Sequence, residues 1–250
     1  MEALDYLDYT ETFDEDYLWF YETVLDDERN RRETTEIISA LGLEADASVL
    51  DAPCGHGRIS NLLAAEGFDV TGVDITPLFL ERAEADARTG GVEVTYLVGD
   101  LRRLPVAGPF DAAVCWFTSF GYFDDDGNRA VLAEFARVLR PGGTLLIETM
   151  HHDGFVRSFT PAPASWVTER GDDVLIDSST FDPVQGRVDT QRTIRRAGRT
   201  RCLRYSVRLP TVPELDRWLA DAGFVARRYQ ERDGQALRYD SWRLLATATR

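Results

Sequence analysis

Apolar positions recur at helical spacing from Tyr17 to Leu41 (Leu18, Tyr21, Val24 and Leu25, then Ile37, Ile38 and Leu41), with a break over the charged stretch Asp26 to Arg32. That spacing predicts two helices. Val49 to Asp51 then reads as a short strand, Ile59 to Ala65 as a helix, and Asp69 to Asp74 as a second strand. The next helix opens with Thr76 as its cap and Pro77 in its first turn, and runs to about Arg88. Val92 to Val98 alternates like a strand, Phe110 to Trp116 is an almost unbroken apolar strand, and Asn128 to Leu139 is helical. The "PGG" at 141–143 ends that helix before a strand from Thr144 to Thr149. Strand and helix alternating this regularly predict an α/β fold, with a parallel sheet covered on both faces.

After Met150 the texture changes. Strand-like runs at Trp166 to Glu169, Val174 to Thr180, Val188 to Ile194 and Leu203 to Leu209 are separated by the turn signals "RGDD", "DPVQG" and "AGRT", which predicts an antiparallel meander. Thr211 and Glu214 then form a capping box for a helix over Glu214 to Ala222, and strands follow near Phe224 to Gln230 and Ser241 to Ala248. The expected organisation is an N-terminal helical cap over 1–46, a core over 47–150, an antiparallel β extension over 151–210, and a C-terminal helix and hairpin over 211–250 that completes the core sheet.

The charge narrows the partners. All 28 basic residues are arginine, the acidic residues number 43, and the formal net charge is −15. Such a surface repels phosphate backbones, which argues against nucleic acid as a partner, and it serves either solubility or the attraction of a cationic substrate. Three cysteines (Cys54, Cys115 and Cys202) lie far apart without metal-ligand or disulfide spacing, which suits a reducing cytoplasm. The acidic opening "MEALDYLDYTETFDEDY" lacks the basic start of a signal peptide, and no apolar run reaches the ~20 residues that cross a bilayer. A cytoplasmic protein with no membrane partner is expected.

The chemistry concentrates at "VLDAPCGHGRIS", Val49 to Ser60. Two glycines behind a strand let backbone N–H groups approach a ligand, and the helix that follows presents its positive end. A dinucleotide loop places a third glycine where this chain has Ser60, which disfavours a nicotinamide cofactor. Asp51 ends the first strand, Asp74 ends the second 23 positions later, and Gly99-Asp100-Leu101 follows the third. In a β-α-β arrangement these acids share one sheet edge. Asp74 can accept both hydroxyls of a ribose, Asp100 with its backbone can read an adenine edge, and Asp51 suits an ammonium group better than a pyrophosphate.

Together "VLDAPCGHGR", "VTGVDIT", "VGDLRRLP" and "FDAAVCWFTSFGYF…LAEFARVLRPGGTLLIET" resemble the class I S-adenosylmethionine-dependent methyltransferases. The resemblance runs without interruption from Val49 to Thr149. It is strongest toward small-molecule methyltransferases of bacterial natural-product metabolism, including amino-sugar N,N-dimethyltransferases that carry "FxSxGY" after the fourth strand. It implies a Rossmann-like seven-stranded sheet, mostly parallel with its last strand antiparallel, and S-adenosyl-L-methionine as cofactor with S-adenosyl-L-homocysteine as product. It implies Gly55 and Gly57 against the methionine moiety, Asp51 near its ammonium, Asp74 on the ribose, Ile75 on the adenine face, Asp100 and Leu101 at the adenine edge, and Trp116 beside the methionine portion. An N-terminal Tyr or Arg closes over the cofactor in such enzymes. Tyr17 and Arg32 are the candidates, with Arg29 and Arg31 nearby.

Methyl transfer from a sulfonium is an in-line displacement governed by alignment, and a base is needed only if the acceptor must lose a proton. His151 and His152 follow the fifth strand and are the candidates for that base, against the alternative of loop histidines bonded to backbone. His56, inside the glycine loop, reads as a loop-filling side chain. Asp124-Asp125-Asp126 reads as an acidic helix start and no metal is expected. Tyr21, Phe117, Phe120 and Tyr122 are the expected substrate pocket, suited to a ring-bearing or cationic acceptor. The β extension would roof this pocket or form a homodimer face, and its arginines (Arg192, Arg195, Arg196, Arg199, Arg201 and Arg204) read as solvated strand faces. The function expected is methyl transfer to N, O or C of a small-molecule acceptor. The alternatives are a C-methyltransferase acting on an electron-rich ring, and a catalytically silent binder of the cofactor.

Overall fold

A computed structural model describes residues 9–158 and 164–250, with side chains from residue 11 onward. The first eight residues of the acidic opening lie outside it. Three helices lead in: α1 (Tyr9–Thr12), α2 (Glu15–Tyr21) and α3 (Asp27–Leu41). The charged stretch expected to break the pattern instead starts α3. Asp26 accepts the Arg29 backbone N–H at 2.8 Å, and Asp27 and Glu28 sit at the positive end of the helix.

The core alternates β1 (Ser48–Asp51), α4 (Arg58–Ala65), β2 (Asp69–Asp74), α5 (Pro77–Gly90), β3 (Thr95–Val98), β4 (Phe110–Cys115), α6 (Asp125–Val138) and β5 (Leu139–Met150). Only Thr95–Val98 of the expected third strand pairs, and it does so with β2. Leu139 is already extended, so "PGG" lies at an irregular start of β5 rather than at the end of the helix. Asp124 caps α6 by accepting the Gly127 N–H at 2.8 Å. A short helix, α7 (His152–Val156), follows β5 where no element was expected; five residues are too few to show a period.

A meander of β6 (Ala164–Arg170), β7 (Asp173–Asp182), β8 (Arg187–Arg196) and β9 (Arg199–Arg208) forms its own antiparallel four-stranded sheet. The chain closes with α8 (Val212–Asp221), β10 (Val225–Gln230) and β11 (Arg243–Thr249). The capping box of Thr211 and Glu214 is present at α8.

Strand order in the main sheet is β10-β11-β5-β4-β1-β2-β3, and β11 runs antiparallel to both of its neighbours. Side chains alternate between two cores. Leu50, Ala113, Cys115, Leu145, Ile147 and Leu244 pack with Phe135, Val138, Leu215 and Trp218 of α6 and α8. Val49, Val114, Leu146 and Leu245 pack on the other face with Ile37, Ile59 and Leu63 of α3 and α4. Burial on both faces is why these strands are apolar runs rather than alternating ones. β1 pairs with β2 on one side and β4 on the other, so the chain reverses its winding there, and the carboxyl ends of these strands frame a crevice.

Candidate functional site

One cavity opens at that crevice. Its walls include Tyr17, Asp51, Gly55, Asp74, Ile75, Asp100, Leu101, Trp116, Phe117 and Tyr122, together with Phe13, His56, Arg58, Phe79, Ser119 and Phe123. Successive strand ends deliver the acids. Asp51 closes β1 and is 2 % exposed. Its Oδ2 accepts the Ser60 hydroxyl at 2.6 Å, so the serine in place of a third glycine is the partner of a buried carboxyl. Burial pushes the Asp51 carboxyl up to about 7, against the Ser60 hydrogen bond and the nearby Arg58 charge.

Asp74, at the end of β2, accepts the Gly55 N–H at 2.8 Å on one oxygen and the Thr76 N–H at 2.9 Å on the other. The carboxylate thus sets the glycine loop and the start of α5 while keeping lone pairs for a ligand. Thr76 contributes its backbone to this contact, whereas its hydroxyl caps nothing. The Asp100 carboxylate is gripped by Arg102, with Nη2 donating at 2.6 Å and the backbone N–H at 2.8 Å. Hydrogen bonds from Arg102 therefore hold that carboxyl below its ordinary value. Ile75, Phe79, Leu101 and Phe123 supply apolar wall next to these acids, and Ile75 is 36 % exposed although hydrophobic.

The two glycines do different work. Gly55 has φ +55, and a Cβ there would meet nothing nearer than Phe79 at 4.0 Å, so its bare face is turned to open space. A Cβ on Gly57 would come within 2.4 Å of the Tyr96 hydroxyl and 2.6 Å of the Ala83 Cβ. Gly57 lets α4 start against α5 and β3 and does not line the cavity, contrary to its expected place beside the methionine moiety.

Several other expected residues also fall elsewhere. Arg32 is exposed on the outer side of α3. The arginine that reaches the cavity is Arg58, the residue straight after the glycine loop. Phe120 is 1 % exposed within the α6-side core, so it packs rather than lines. Tyr21 stands behind the wall, its ring stacked 4.1 Å from that of Tyr17. His151 is buried; its Nδ1–H donates to the Ser241 carbonyl at 3.0 Å and its backbone N–H to the Trp242 carbonyl at 3.1 Å. It fastens β5 to the loop before β11. His152 bonds to Asp153 at 2.8 Å and meets the edge of Phe181. Neither histidine is part of the wall. His56 is, and burial, with Arg58 and Arg82 next, lowers it to about 4, so it is neutral at pH 7.

A hub invisible in the motifs supports this wall. Glu33 of α3 is 0 % exposed. It accepts from Trp116 Nε1 at 2.9 Å, Arg29 Nε at 2.9 Å and Arg232 Nη1 at 3.0 Å, and pairs with Arg58 Nη1 at 2.6 Å. Burial alone would raise its carboxyl, but Arg58, the hydrogen bonds from Arg29 and Trp116, and Arg232 hold it down to about 2. The sequence signal was an acid at i to the buried Ile37 at i+4 on α3. A second buried acid, Glu148, takes Arg243 in two hydrogen bonds and the Phe117 N–H at 2.9 Å. It holds the turn in which Phe117 and Thr118 both have positive φ, a costly backbone that aims Phe117 at the cavity.

The chain is similar to known proteins in part of its sequence and in its fold. Residues 49–143 match the family model described as a methyltransferase domain. The ubiquinone biosynthesis O-methyltransferase of Xanthomonas axonopodis pv. citri is 34% identical over 118 residues, covering 46% of this chain and 48% of that protein. The chain spans about half the length of the curated relatives it matches. A solved S-adenosylmethionine-dependent methyltransferase from Clostridium acetobutylicum superposes with a TM-score of 0.77 at 15% identity, covering 93% of this chain and 97% of that one. The sugar N-methyltransferase KedS8 from a Streptoalloteichus species gives a TM-score of 0.68 at 22% identity, covering 100% and 98%. At these identities the two structures show a shared fold.

Proposed function

We propose that this chain, whose residues 49–143 match a methyltransferase-domain model and whose fold is shared with a solved S-adenosylmethionine-dependent methyltransferase, transfers a methyl group from that cofactor to an amine nitrogen of a small molecule. The observation that carries the reading is the set of acids at successive strand ends around an apolar cavity: Asp51, Asp74 and the Gly99–Leu101 turn. These residues fit the cofactor. Asp74 retains acceptor capacity for a ribose, Ile75 and Leu101 offer apolar surface to an adenine, the backbone at Asp100 and Leu101 remains to read its edge, and Gly55 leaves room for the methionine portion beside Asp51 and Trp116. The cofactor supplies an electrophilic methyl on a positively charged sulfur.

The chain's part is alignment and exclusion of water. Tyr17, Phe117 and Tyr122 form an aromatic mouth that suits a cationic centre. Among the described wall residues, burial pushes the phenols of Tyr17 and Tyr122 up, and His56 is far below neutrality. None of these three is tuned to take a proton near pH 7, and Asp51, which burial does bring to about 7, stands at the end of β1 beside Ser60, on the side proposed for the methionine portion and away from the aromatic mouth. An amine that arrives neutral attacks through its lone pair and releases its proton to water afterwards, so it asks for no base. This favours nitrogen over a hydroxyl acceptor.

Calorimetry tests the reading: S-adenosylhomocysteine should bind and NAD should not. Incubation with tritiated cofactor and an amine pool should then label amine products. Absence of S-adenosylhomocysteine binding would remove the proposal.

A further inference from the structure

Tyr96 of β3 occupies a slot that two glycines leave open. A Cβ on Gly72 of β2 would lie 2.6 Å from its ring carbons, and a Cβ on Gly57 2.4 Å from its hydroxyl. A phenylalanine would fill the same slot, so the hydroxyl is a separate feature whose burial must be offset by partners. Those partners are on α4. Tyr96 donates to Asn61 Oδ1 at 2.7 Å, and Asn61 Nδ2 donates to the Ala83 carbonyl of α5 at 3.1 Å, which fixes the orientation of the amide. Ser60, the preceding residue on α4, is fully buried and within hydrogen-bonding reach of the same phenol. Its own hydroxyl donates to Asp51 Oδ2 at 2.6 Å. A line of polar atoms thus runs from the first strand-end acid to the helix pair behind the glycine loop: Asp51, Ser60, Tyr96, Asn61.

The hydrogens on this line have two arrangements. With Asp51 ionised, Ser60 gives its hydrogen to the carboxylate and none to the Tyr96 oxygen. With Asp51 protonated, the carboxyl O–H donates to the Ser60 oxygen, and the Ser60 hydrogen turns to the Tyr96 oxygen. Asn61 accepts the Tyr96 hydrogen in both, so the phenol faces Ser60 as an acceptor. The proton on Asp51 comes from solvent, and no other group gains or loses one. Tyr96 therefore adds a hydrogen bond to the neutral arrangement alone, whereas Ser60 favours the charged one through a charge-assisted bond. The other charged and titratable groups facing Asp51 are Arg58 at the start of α4, Asp74 of β2, Cys54 in the glycine loop and Cys115 of β4. Arg58 favours the carboxylate and Asp74 opposes it; burial pushes both thiols up, so neither carries charge near pH 7.

We infer that Tyr96, its hydrogen held by Asn61, is a positioning residue for the cofactor: it receives the Ser60 hydrogen and so keeps Asp51 neutral until a cationic ligand displaces the proton. The inference rests on the transferase reading and adds how its ammonium side is held between binding events. A neutral carboxyl costs less to bury against apolar walls than a carboxylate does, and an arriving ammonium supplies the partner that a carboxylate needs. Tyr96 is not among the wall residues of the cavity and acts through Ser60 and Asp51.

The test uses the full chain and S-adenosylhomocysteine, with affinity read by calorimetry across about pH 5.5–8.5. Wild-type affinity should rise about tenfold per pH unit at the acidic end and level off near pH 7. Tyr96→Phe keeps the ring in its slot. Its levelling point should move down by about 0.5–1 pH unit, with wild-type affinity at the alkaline end, because one hydrogen bond is lost from the neutral state alone. Ser60→Ala should move the point up by about one unit or more, because the carboxylate loses a charge-assisted bond. Asp51→Asn should flatten the profile. The two shifts oppose each other, so either variant decides the matter if the other fails to fold. A Tyr96→Phe profile that is unmoved, moved upward, or lowered equally at every pH as for a merely structural residue, overturns the inference. So does a downward move in Ser60→Ala, a flat wild-type profile, or a bend that survives in Asp51→Asn. In all of these S-adenosylhomocysteine still binds and the transferase reading stands. Wild type that binds no S-adenosylhomocysteine overturns that reading, and this inference with it.

Discussion

Asp51 shows how a buried group becomes a readout. Its ordinary value is near 3.8 and its value in the folded chain is about 7, so the protonated form is favoured by folding. The stabilisation this brings is complete below pH 3.8 and is lost as pH rises through about 7. A cationic ligand beside Asp51 favours the carboxylate and reverses the shift. Binding of S-adenosylhomocysteine should therefore release protons at pH 6 and tighten as pH rises from 6 to 7.5. Calorimetry in buffers of different ionisation enthalpy measures the release, and Asp51→Asn should abolish it. For Asp74→Ala, cofactor affinity should fall by about 1–3 kcal/mol, the cost of charged hydrogen bonds to a ribose and of a freed glycine loop; unchanged affinity would take Asp74 out of the site. The strand-end acids were legible because each ends an apolar run. Ser60 and Arg58 stood in the same quoted motif, yet their partners Asp51 and Glu33 are set by how the helices pack, which no local pattern states.

At the scale of elements, the helix after the first strand depends on a close approach. Gly57→Ala should strike Tyr96 and Ala83 in a left-handed backbone and cost about 2–4 kcal/mol, seen as a lower Tm with or without ligand. Gly55→Ala meets open space, so it should cost only about 1–2 kcal/mol in stability while weakening cofactor binding. A reversed order of Tm effects would contradict these roles. Most elements were legible from period alone, since α4, β2 and the capped α8 fall within a residue or two of expectation. The misses have identifiable causes. Charge at 26–32 resembled a break but is a helix start, where acids are favourable, and α7 is fixed by contact rather than propensity. A Cβ on Gly154 would lie 1.9 Å from the Ser241 carbonyl, so that helix exists pressed against the loop before β11.

Across the whole molecule, distant segments meet at Glu33. Arg232, from the loop after β10, donates to Glu33 and Glu36 on α3 and lies 5.0 Å from the Trp116 ring. Arg232→Ala should loosen α3 from the sheet by about 1–3 kcal/mol. Hydrogen exchange over 27–41 should quicken, and cofactor affinity should drop through Arg58 and Trp116; exchange confined to 231–242 would show that the link is local. The meander fastens the N-terminal helices in the same currency, with Arg196 on Asp16, Arg201 on Asp14 and Arg170 on Glu22. From its apolar periods, its turn residues and the acids that end its strands, the amino-acid sequence determined the α/β order, the meander and the row of strand-end acids, because these depend on neighbours a few positions apart. Tertiary structure decided which arginine reaches the cavity, why His151 bonds to backbone instead of facing a substrate, and why Arg192 is buried against Tyr21 instead of solvated. Those outcomes depend on contacts between residues scores of positions apart, whose energies no single segment carries.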